Sequence, residues 1–243
     1  MTGFKELNIK NSYFSGGENI PLEFYDLTFP ASEEIWLFLG YFSTNAIREL
    51  SMAFSSFIIN GGNIKIITNH SYSKDDYENL ILNKEKINNE DRYIDILDDF
   101  EKLEKELSKY GTHFFDCLKF LIKKKRIMIQ PVRWKGGNAH TKNMIMCDGE
   151  NYVLTDGSLN FTLSGLTING ERFKVTKSWK DIEDKQDIEQ ALNDFNKVFN
   201  KENSLYEYLD SKSIYDVVEK IGKDKDKNEL ISNSIDLIKS KNI

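Results

Sequence analysis

The sequence predicts an α/β protein whose core is a mixed β-sheet flanked by helices. Apolar segments at 35–42 and 64–68 enclose a stretch with the apolar spacing of a helix, which predicts a right-handed β-α-β crossover with parallel strands. Two later apolar segments, 141–147 and 152–155, are separated by Asp-Gly-Glu-Asn, which predicts an antiparallel hairpin. Parallel and antiparallel pairs together favour one mixed sheet that helices cover.

The other elements follow from the same spacing rules. A helix is expected to begin at Ser43 or Thr44, either of which can cap it, and to end at Gly61-Gly62. A long helical stretch is expected to be interrupted at Tyr110-Gly111. Helices are predicted over 73–125, 182–208, 213–221 and 228–239, and further strands over 127–129 and 172–179.

Length and composition favour one main domain. A chain of 243 residues with 40% hydrophobic content can bury a core. We expect residues 1–200 to form the α/β domain and residues 201–243 to form a C-terminal helical extension. Neither an apolar run of about 20 residues nor a basic N-terminal segment followed by an apolar one occurs. Two cysteines form no disulfide framework. These features predict a cytoplasmic protein with reduced thiols and no membrane partner.

The charges are unevenly distributed. The net charge of −6 argues against binding of nucleic acid, but no acidic residue lies between Asp116 and Asp148, where eight basic residues occur. A positive segment of this kind favours an anionic substrate. The solvated end of a helix would explain the basic run at 123–126 equally well. The predicted substrate-binding residues are Lys124, Lys125, Arg126, Arg133 and Lys135.

Five polar residues of the C-terminal half form the predicted catalytic group. His140 and Lys142 are two positions apart on a predicted strand, so their side chains leave the same face. The hairpin brings the chain back beside them, and Ser158 and Asn160, again two apart, follow its second strand. Glu171 comes after a polar, glycine-containing connection and can return to the same rim.

These residue types suit cleavage of a phosphodiester without a metal or another cofactor. A neutral imidazole can attack phosphorus and form a covalent phosphohistidine, while Lys, Ser and Asn donate to the non-bridging oxygens. A carboxylate on the other ring nitrogen orients the imidazole. Protonation of the leaving oxygen needs a second histidine. Because His70 and His113 lack the companion residues, the site predicts a symmetric dimer.

The spacing of these residues resembles the signature of the phospholipase D superfamily, H-x-K followed by G-S-x-N. The matching positions are 140–142 and 157–160, and Asn-Gly-Glu at 169–171 is similar to the bacterial branch that carries one motif per chain. Segments 39–43 and 61–65 resemble the opening β-α-β unit of that branch, so the resemblance covers about residues 18–200. It implies the phospholipase D-like fold in a metal-independent, homodimeric endonuclease acting on DNA, as in restriction endonucleases and helicase-linked nuclease domains.

The sequence departs from the signature at one position. The superfamily often has aspartate five residues after the lysine, where this chain has Cys147, with Asp148 one residue further. A side chain shifted by one position on a strand faces the opposite side, so Glu171 is the better candidate to orient His140. The departure leaves open a catalytically weakened protein.

Two other functions remain open at this point. A lipid phosphodiesterase would use the same chemistry, although such enzymes usually carry two motifs in one chain. A DNA-binding or assembly module without activity would explain the missing aspartate. For the nuclease, the resemblance implies a restriction or anti-phage defence role. The low formal charge and the helical C-terminus leave room for a helicase or a sequence-recognition subunit as partner.

Overall fold

The computed structural model describes residues 2–39, 53, 55–58, 60–69, 109–136, 141–157 and 171–241. Within these residues eight strands form one sheet. In chain order the strands are β1 (Ser12–Phe14), β2 (Glu34–Leu39), β3 (Asn63–Asn69), β4 (Ile127–Trp134), β5 (Asn143–Cys147), β6 (Tyr152–Gly157), β7 (Arg172–Lys177) and β8 (Tyr206–Tyr208). The helices with described bounds are α1 (Pro21–Thr28), α2 (Lys109–Lys123), α3 (Ile182–Phe199), α4 (Lys212–Ile221) and α5 (Lys227–Lys241).

The sheet is mixed, with the strand order β1-β7-β6-β5-β2-β3-β4-β8. Strands β2, β3 and β4 run parallel, whereas every other neighbouring pair in this sheet is antiparallel. The parallel pair β2–β3 and the β5–β6 hairpin are those that the sequence predicts. Gly149 in the hairpin turn has a φ of 97°, which glycine adopts without strain. The prediction of an α/β protein with a mixed sheet flanked by helices is therefore confirmed.

Side chains of the sheet alternate between two cores, one on each face. On β2, Ile35 and Leu37 belong to the first core, and Trp36 and Phe38 belong to the second. The first core also receives side chains from α1, α2, α4 and α5, and the second receives side chains from α3. Because both faces are covered, β2 is apolar at successive positions rather than at alternate ones. None of the described helices has the length and apolar character needed to cross a membrane.

The sequence does not predict β1 and α1, because three strand residues and eight helical residues give too short a pattern. Proline at the first helical turn, Pro21, is the one local signal for α1. Aromatic contacts between distant positions hold both elements: the ring of Phe173 on β7 lies 5.4 Å from Tyr13 and 5.2 Å from Phe24. The N-terminal elements thus depend on packing against β7.

The predicted helix over 182–208 is wrong in its last part. Helix α3 ends at Phe199, Lys201 has a φ of 66°, and the chain then forms β8, which pairs with β4. Strand β8 lies beyond the boundary predicted at residue 200, yet it belongs to the same sheet. Periodicity alone cannot show that a turn in the left-handed region has ended the helix.

Predictions for the remaining helices have mixed outcomes. Helices α4 and α5 confirm the predictions over 213–221 and 228–239 to within two residues at each end. The interruption expected at Tyr110-Gly111 is wrong, since α2 runs through these positions. Residues 53, 55–58 and 60 are helical, as predicted, whereas most of the helices predicted over 43–60 and 73–108 lies outside the described residues.

A buried polar cluster joins α2 to α5 and to the helical residues around position 55. The Nε2 atom of His113 lies 2.9 Å from the hydroxyl of Ser55 and 2.8 Å from that of Ser234. The hydroxyl of Ser234 donates to that of Ser55 at 2.6 Å. His113 is only 3% exposed, and burial lowers its pKa from 6.5 to about 4. The imidazole is therefore neutral in the folded protein at neutral pH.

This cluster predicts loss of stability in acid. The His113 imidazole takes up a proton at higher pH in the unfolded chain than in the folded chain. The contribution of neutral His113 to the free energy of unfolding is therefore complete above pH 6.5. It decreases as the pH falls from 6.5 to 4, by about 3 kcal/mol in total. Urea unfolding across this range should show that difference between the wild type and His113→Gln. Equal pH slopes for the two proteins would contradict the prediction.

Candidate active site

Two of the five predicted catalytic residues, Lys142 and Glu171, are described, whereas His140, Ser158 and Asn160 lie outside the described residues. Thr141, which follows His140, and Gly157, which precedes Ser158, are described. They lie at the same edge of the sheet, where the chain enters β5 and leaves β6. We call this edge, where β5 begins and β6 ends, the site edge.

The strand register brings Lys142 and Glu171 to the site edge. Lys142 immediately precedes β5 and Glu171 immediately precedes β7, and β6 lies between these strands. Two strand spacings separate the backbones of β5 and β7 by about 10 Å. Lys142 and Glu171 each lie two residues before a first-core residue, Met144 and Phe173, so strand alternation directs both to the same face. Both are half-buried. An ammonium and a carboxylate can thus serve one substrate group.

Gly157, the glycine of the G-S-x-N motif, lets β6 approach β7 closely at this edge. A Cβ atom at position 157 would lie 2.6 Å from the Cα atom of Phe173 and closer still to the carbonyl oxygen of Arg172. Real Cβ atoms essentially never approach backbone that closely. Glycine at the first position of G-S-x-N therefore has a packing reason, and it sets the separation between the end of β6 and Glu171.

Glu171 is anchored through its main chain. Its carbonyl oxygen accepts hydrogen bonds from the backbone N–H of Ser15 at 3.0 Å and from the hydroxyl of Ser15 at 3.3 Å. Ser15 directly follows β1, so the turn after β1 fixes the start of β7. The sequence contains no signal for this contact, because the two residues are 156 positions apart.

A second contact that the sequence does not predict fixes the chain between His140 and Lys142. The side chain of Thr141 is hydrogen-bonded to the phenol of Tyr206, and burial raises the pKa of that phenol. The Tyr206 ring packs against Trp134 at 4.9 Å and Phe38 at 6.0 Å. Tyr206 of β8 therefore holds Thr141 against the second core and acts as a positioning residue for Lys142, which follows Thr141.

Removing this hydrogen bond is expected to reduce kcat several-fold with little change in KM. Tyr206→Phe deletes only the hydroxyl, which costs about 1 kcal/mol of stability and frees Thr141. Thr141→Val should have a similar effect, and the double variant should be no worse than either single variant. Steady-state kinetics on a phosphodiester substrate of the kind that the sequence predicts measures both constants. Additive effects of the two changes would show that they do not act through one contact.

The structure divides the predicted substrate-binding residues between opposite edges of the sheet. Arg133 and Lys135 lie at the site edge, at and just after the end of β4. Each already has a partner in or just before β8. The Nη1 atom of Arg133 lies 3.2 Å from Oε2 of Glu207, and the ammonium of Lys135 donates to the carbonyl oxygen of Ser204 at 2.7 Å. Both side chains are exposed. They can contact a phosphate near the site only in addition to these contacts or in exchange for them.

Lys124, Lys125 and Arg126 lie at the other end of β4, about 23 Å from the site edge, because the eight residues of β4 separate them from it. The guanidinium of Arg126 donates to the carbonyl oxygens of Gly62, at 2.8 Å, and Ile58, at 3.0 Å. Arg126 thus stabilises the C-terminal end of the helical residues around position 55. Lys124 and Lys125 form the exposed turn after α2. The structure does not bring these three residues to Lys142.

The departure from the motif lies at the opposite edge as well. Cys147 is the last residue of β5, about 14 Å from the site edge. The carboxylate of Asp148 accepts hydrogen bonds from the N–H groups of Asn151, Phe4 and Glu150. Burial opposes ionisation of Asp148, but these donors outweigh it and lower the pKa. Asp148 therefore stabilises the hairpin turn and the N-terminal segment, and it cannot orient a side chain at the site edge.

Known proteins resemble the chain in fold only weakly. No protein-family model and no curated protein matches its sequence. Among solved structures, NucT from Helicobacter pylori shares 17% identity at a TM-score of 0.41, covering 72% of this chain and 85% of that one. Phosphatidylserine synthase from Haemophilus influenzae shares 13% identity at a TM-score of 0.49, and the match covers 84% of this chain and 41% of that one. A mutant of yeast tyrosyl-DNA phosphodiesterase shares 14% identity at a TM-score of 0.35, and the match covers 68% of this chain and 30% of that one. Similarities of this size assign no function.

Proposed function

We propose that the protein is a metal-independent phosphodiesterase of the phospholipase D superfamily that hydrolyses DNA as a homodimer. The observation that carries this proposal is that Lys142, Gly157 and Glu171 lie at one edge of the sheet, at the ends of three adjacent strands. In the sequence His140 lies two positions before Lys142, and Ser158 and Asn160 lie one and three positions after Gly157. In the proposed site they supply the nucleophile and two further hydrogen-bond donors.

In the proposed mechanism an imidazole nitrogen of His140 attacks phosphorus, the N–P bond forms and the bond to the leaving oxygen breaks. The leaving oxygen takes a proton from the imidazolium of His140 in the second subunit. That imidazole, now neutral, removes a proton from water as the water oxygen attacks phosphorus, and the N–P bond breaks. Lys142 donates to a non-bridging oxygen throughout, and Glu171 orients the nucleophilic imidazole.

The location of Cys147 favours an active enzyme over a catalytically weakened binding module. The case for a weakened protein depends on the aspartate missing from position 147. Because that position lies at the hairpin edge, about 14 Å from the site edge, a carboxylate there would not contact the reacting groups. Its absence therefore removes no group from the proposed site.

Cleavage of DNA in excess EDTA tests the proposal. Plasmid and oligonucleotide substrates should be cut at the same rate with EDTA and with added Mg²⁺, because no step uses a metal. Rapid denaturation during turnover should trap a labelled phosphohistidine, which mass spectrometry locates at His140. Activity that appears only with Mg²⁺ would overturn the mechanism.

We further propose a role in restriction or defence against phage, with a helicase or a sequence-recognition subunit that delivers the DNA. The support is the resemblance of the motif to single-motif bacterial nucleases. Expression of the protein, with its neighbouring genes, should lower the plating efficiency of phage on a bacterial host, and His140→Ala should restore it. Equal protection by the variant would separate any defence role from cleavage.

A further inference from the structure

A cavity of about 290 Å³ lies beside the site edge, between the end of β1 and the start of β7. It is lined by Ser12, Phe14, Gly17, Glu18, Asn19 and Arg172. Phe14 and Arg172 are directly opposite each other in the antiparallel pair, and both are exposed. A volume of this size is at the lower end of ligand pockets, which suits one small planar group rather than an extended ligand.

The aromatic ring of Phe14 is exposed to water. It is 42% exposed, whereas its neighbour Tyr13 is buried in the first core. The ring lies over Gly16 and Gly17, where the absence of side chains leaves it against bare backbone on one side. A flat aromatic ring supported from behind is a stacking platform, and every nucleobase has a face that can stack on it.

Positive charge accompanies the ring. Arg172 lies directly across from Phe14, and Lys174 lies across from Ser12, so both basic residues are on the same face as the ring. Both are exposed. Arginine and lysine at this spacing suit the phosphates on either side of one base, while Glu18 and Asn19 in the cavity wall offer hydrogen bonds to the edge of the base.

We propose that this cavity binds one unstacked base of single-stranded DNA, with the base on Phe14 and an adjoining phosphate on Arg172. The inference rests on the proposed function and adds the strandedness of the substrate, because neighbouring bases in a duplex stack on both faces of each base. The cavity and Glu171 share a support, since Ser15 follows Phe14 and holds the carbonyl oxygen of Glu171. The side chains of Glu171 and Arg172 leave opposite faces of the sheet. The bound DNA strand therefore crosses the end of the sheet between these two side chains.

Fluorescence anisotropy with a labelled single-stranded 12-mer tests the proposal, in the His140→Ala background so that the probe stays intact. Phe14→Ala and Phe14→Leu are expected to raise Kd about 5- to 150-fold, whereas Phe14→Trp retains binding. Arg172→Gln should lower the slope of log Kd against log salt by about 0.7. Leu27→Ala is the matched control, because Leu27 is similarly exposed, at 38%, but lies on α1.

The outcomes separate this proposal from the proposed function. Binding by Phe14→Ala or Phe14→Leu that is as tight as that of the parent overturns the stacking site, whether or not the wild type cleaves DNA. Loss of binding in Leu27→Ala as large as in Phe14→Ala overturns it too. Binding that depends on Phe14 in a protein whose wild type does not cleave DNA supports the cavity and overturns the nuclease mechanism. Thermal unfolding midpoints within a few degrees of the parent are required of each variant.

Discussion

Replacing His140 by alanine is expected to lower the rate of DNA cleavage in EDTA by at least about 10³-fold, because the variant loses the group that attacks phosphorus in the proposed mechanism. The fold should be unaffected, as judged by circular dichroism and by the unfolding midpoint. His113→Gln is the matched control for loss of a histidine, since His113 lies in the buried cluster with Ser55 and Ser234. At neutral pH this control should cleave DNA at the wild-type rate. A His140→Ala protein with more than about a tenth of wild-type activity would contradict the assigned nucleophile.

The same variant tests whether the site is shared between subunits. If each site needs His140 from two subunits, only dimers of two wild-type chains are active. Equal amounts of wild-type and His140→Ala chains, after subunit exchange, should then have about one quarter of the activity of wild-type chains at the same total chain concentration. Independent sites in each chain would leave about one half. Titration of the variant across the whole range distinguishes a quadratic from a linear decrease, and a linear decrease would exclude a shared site.

The second large effect is expected for Gly157→Ala. The added Cβ atom would overlap the backbone of Arg172 and Phe173, so the end of β6 must move away from β7. Overpacking of this kind costs about 1–3 kcal/mol of stability. A displacement of about 1 Å between Lys142 and Glu171 can reduce kcat about 10²-fold. Urea unfolding and single-turnover cleavage measure the two effects separately.

A matched control for Gly157→Ala is available on the same strand. Asp156 is exposed and its side chain leaves the opposite face, where it lies across from Lys174 of β7, so Asp156→Ala alters the end of β6 without adding an atom to the close contact between Gly157 and β7. This variant should stay within about 0.5 kcal/mol of the wild type. A Gly157→Ala protein that is as stable and active as Asp156→Ala would show that the close approach has no part in the site.

Local patterns predict the parts of the fold whose contacts are close in sequence. The β2–β3 crossover and the β5–β6 hairpin depend on spacing and turn chemistry within one segment, so the sequence predicts them correctly. The H-x-K and G-S-x-N spacings likewise predict that Lys142 and Gly157 share an edge. The short elements β1 and β8 depend on partners far along the chain, which no local pattern reveals.

The basic stretch before His140 shows why clustering in sequence differs from clustering in space. Lys124 and Arg133 are nine positions apart, but β4 runs between them and carries them to opposite edges of the sheet. The positioning contacts of Tyr206 and Ser15 are missing from the sequence analysis for the converse reason, since each residue meets the site only after the sheet has formed. Charged residues that are close in sequence can be assigned to one surface only when the directions of the strands between them are known.

The β5–β6 hairpin has a consequence for the order of folding. Its strands are joined by a turn that Asp148 stabilises, so closing it costs little chain entropy. Pairing of β1 with β7, by contrast, joins Tyr13 to Phe173, about 160 residues later. Lys142 and Gly157 are therefore expected to come together early, and Phe14 is expected to reach Arg172 among the last steps. A chain still being synthesised would therefore bring Lys142 and Gly157 together before Ser15 could hold Glu171 and before the cavity beside Phe14 had formed.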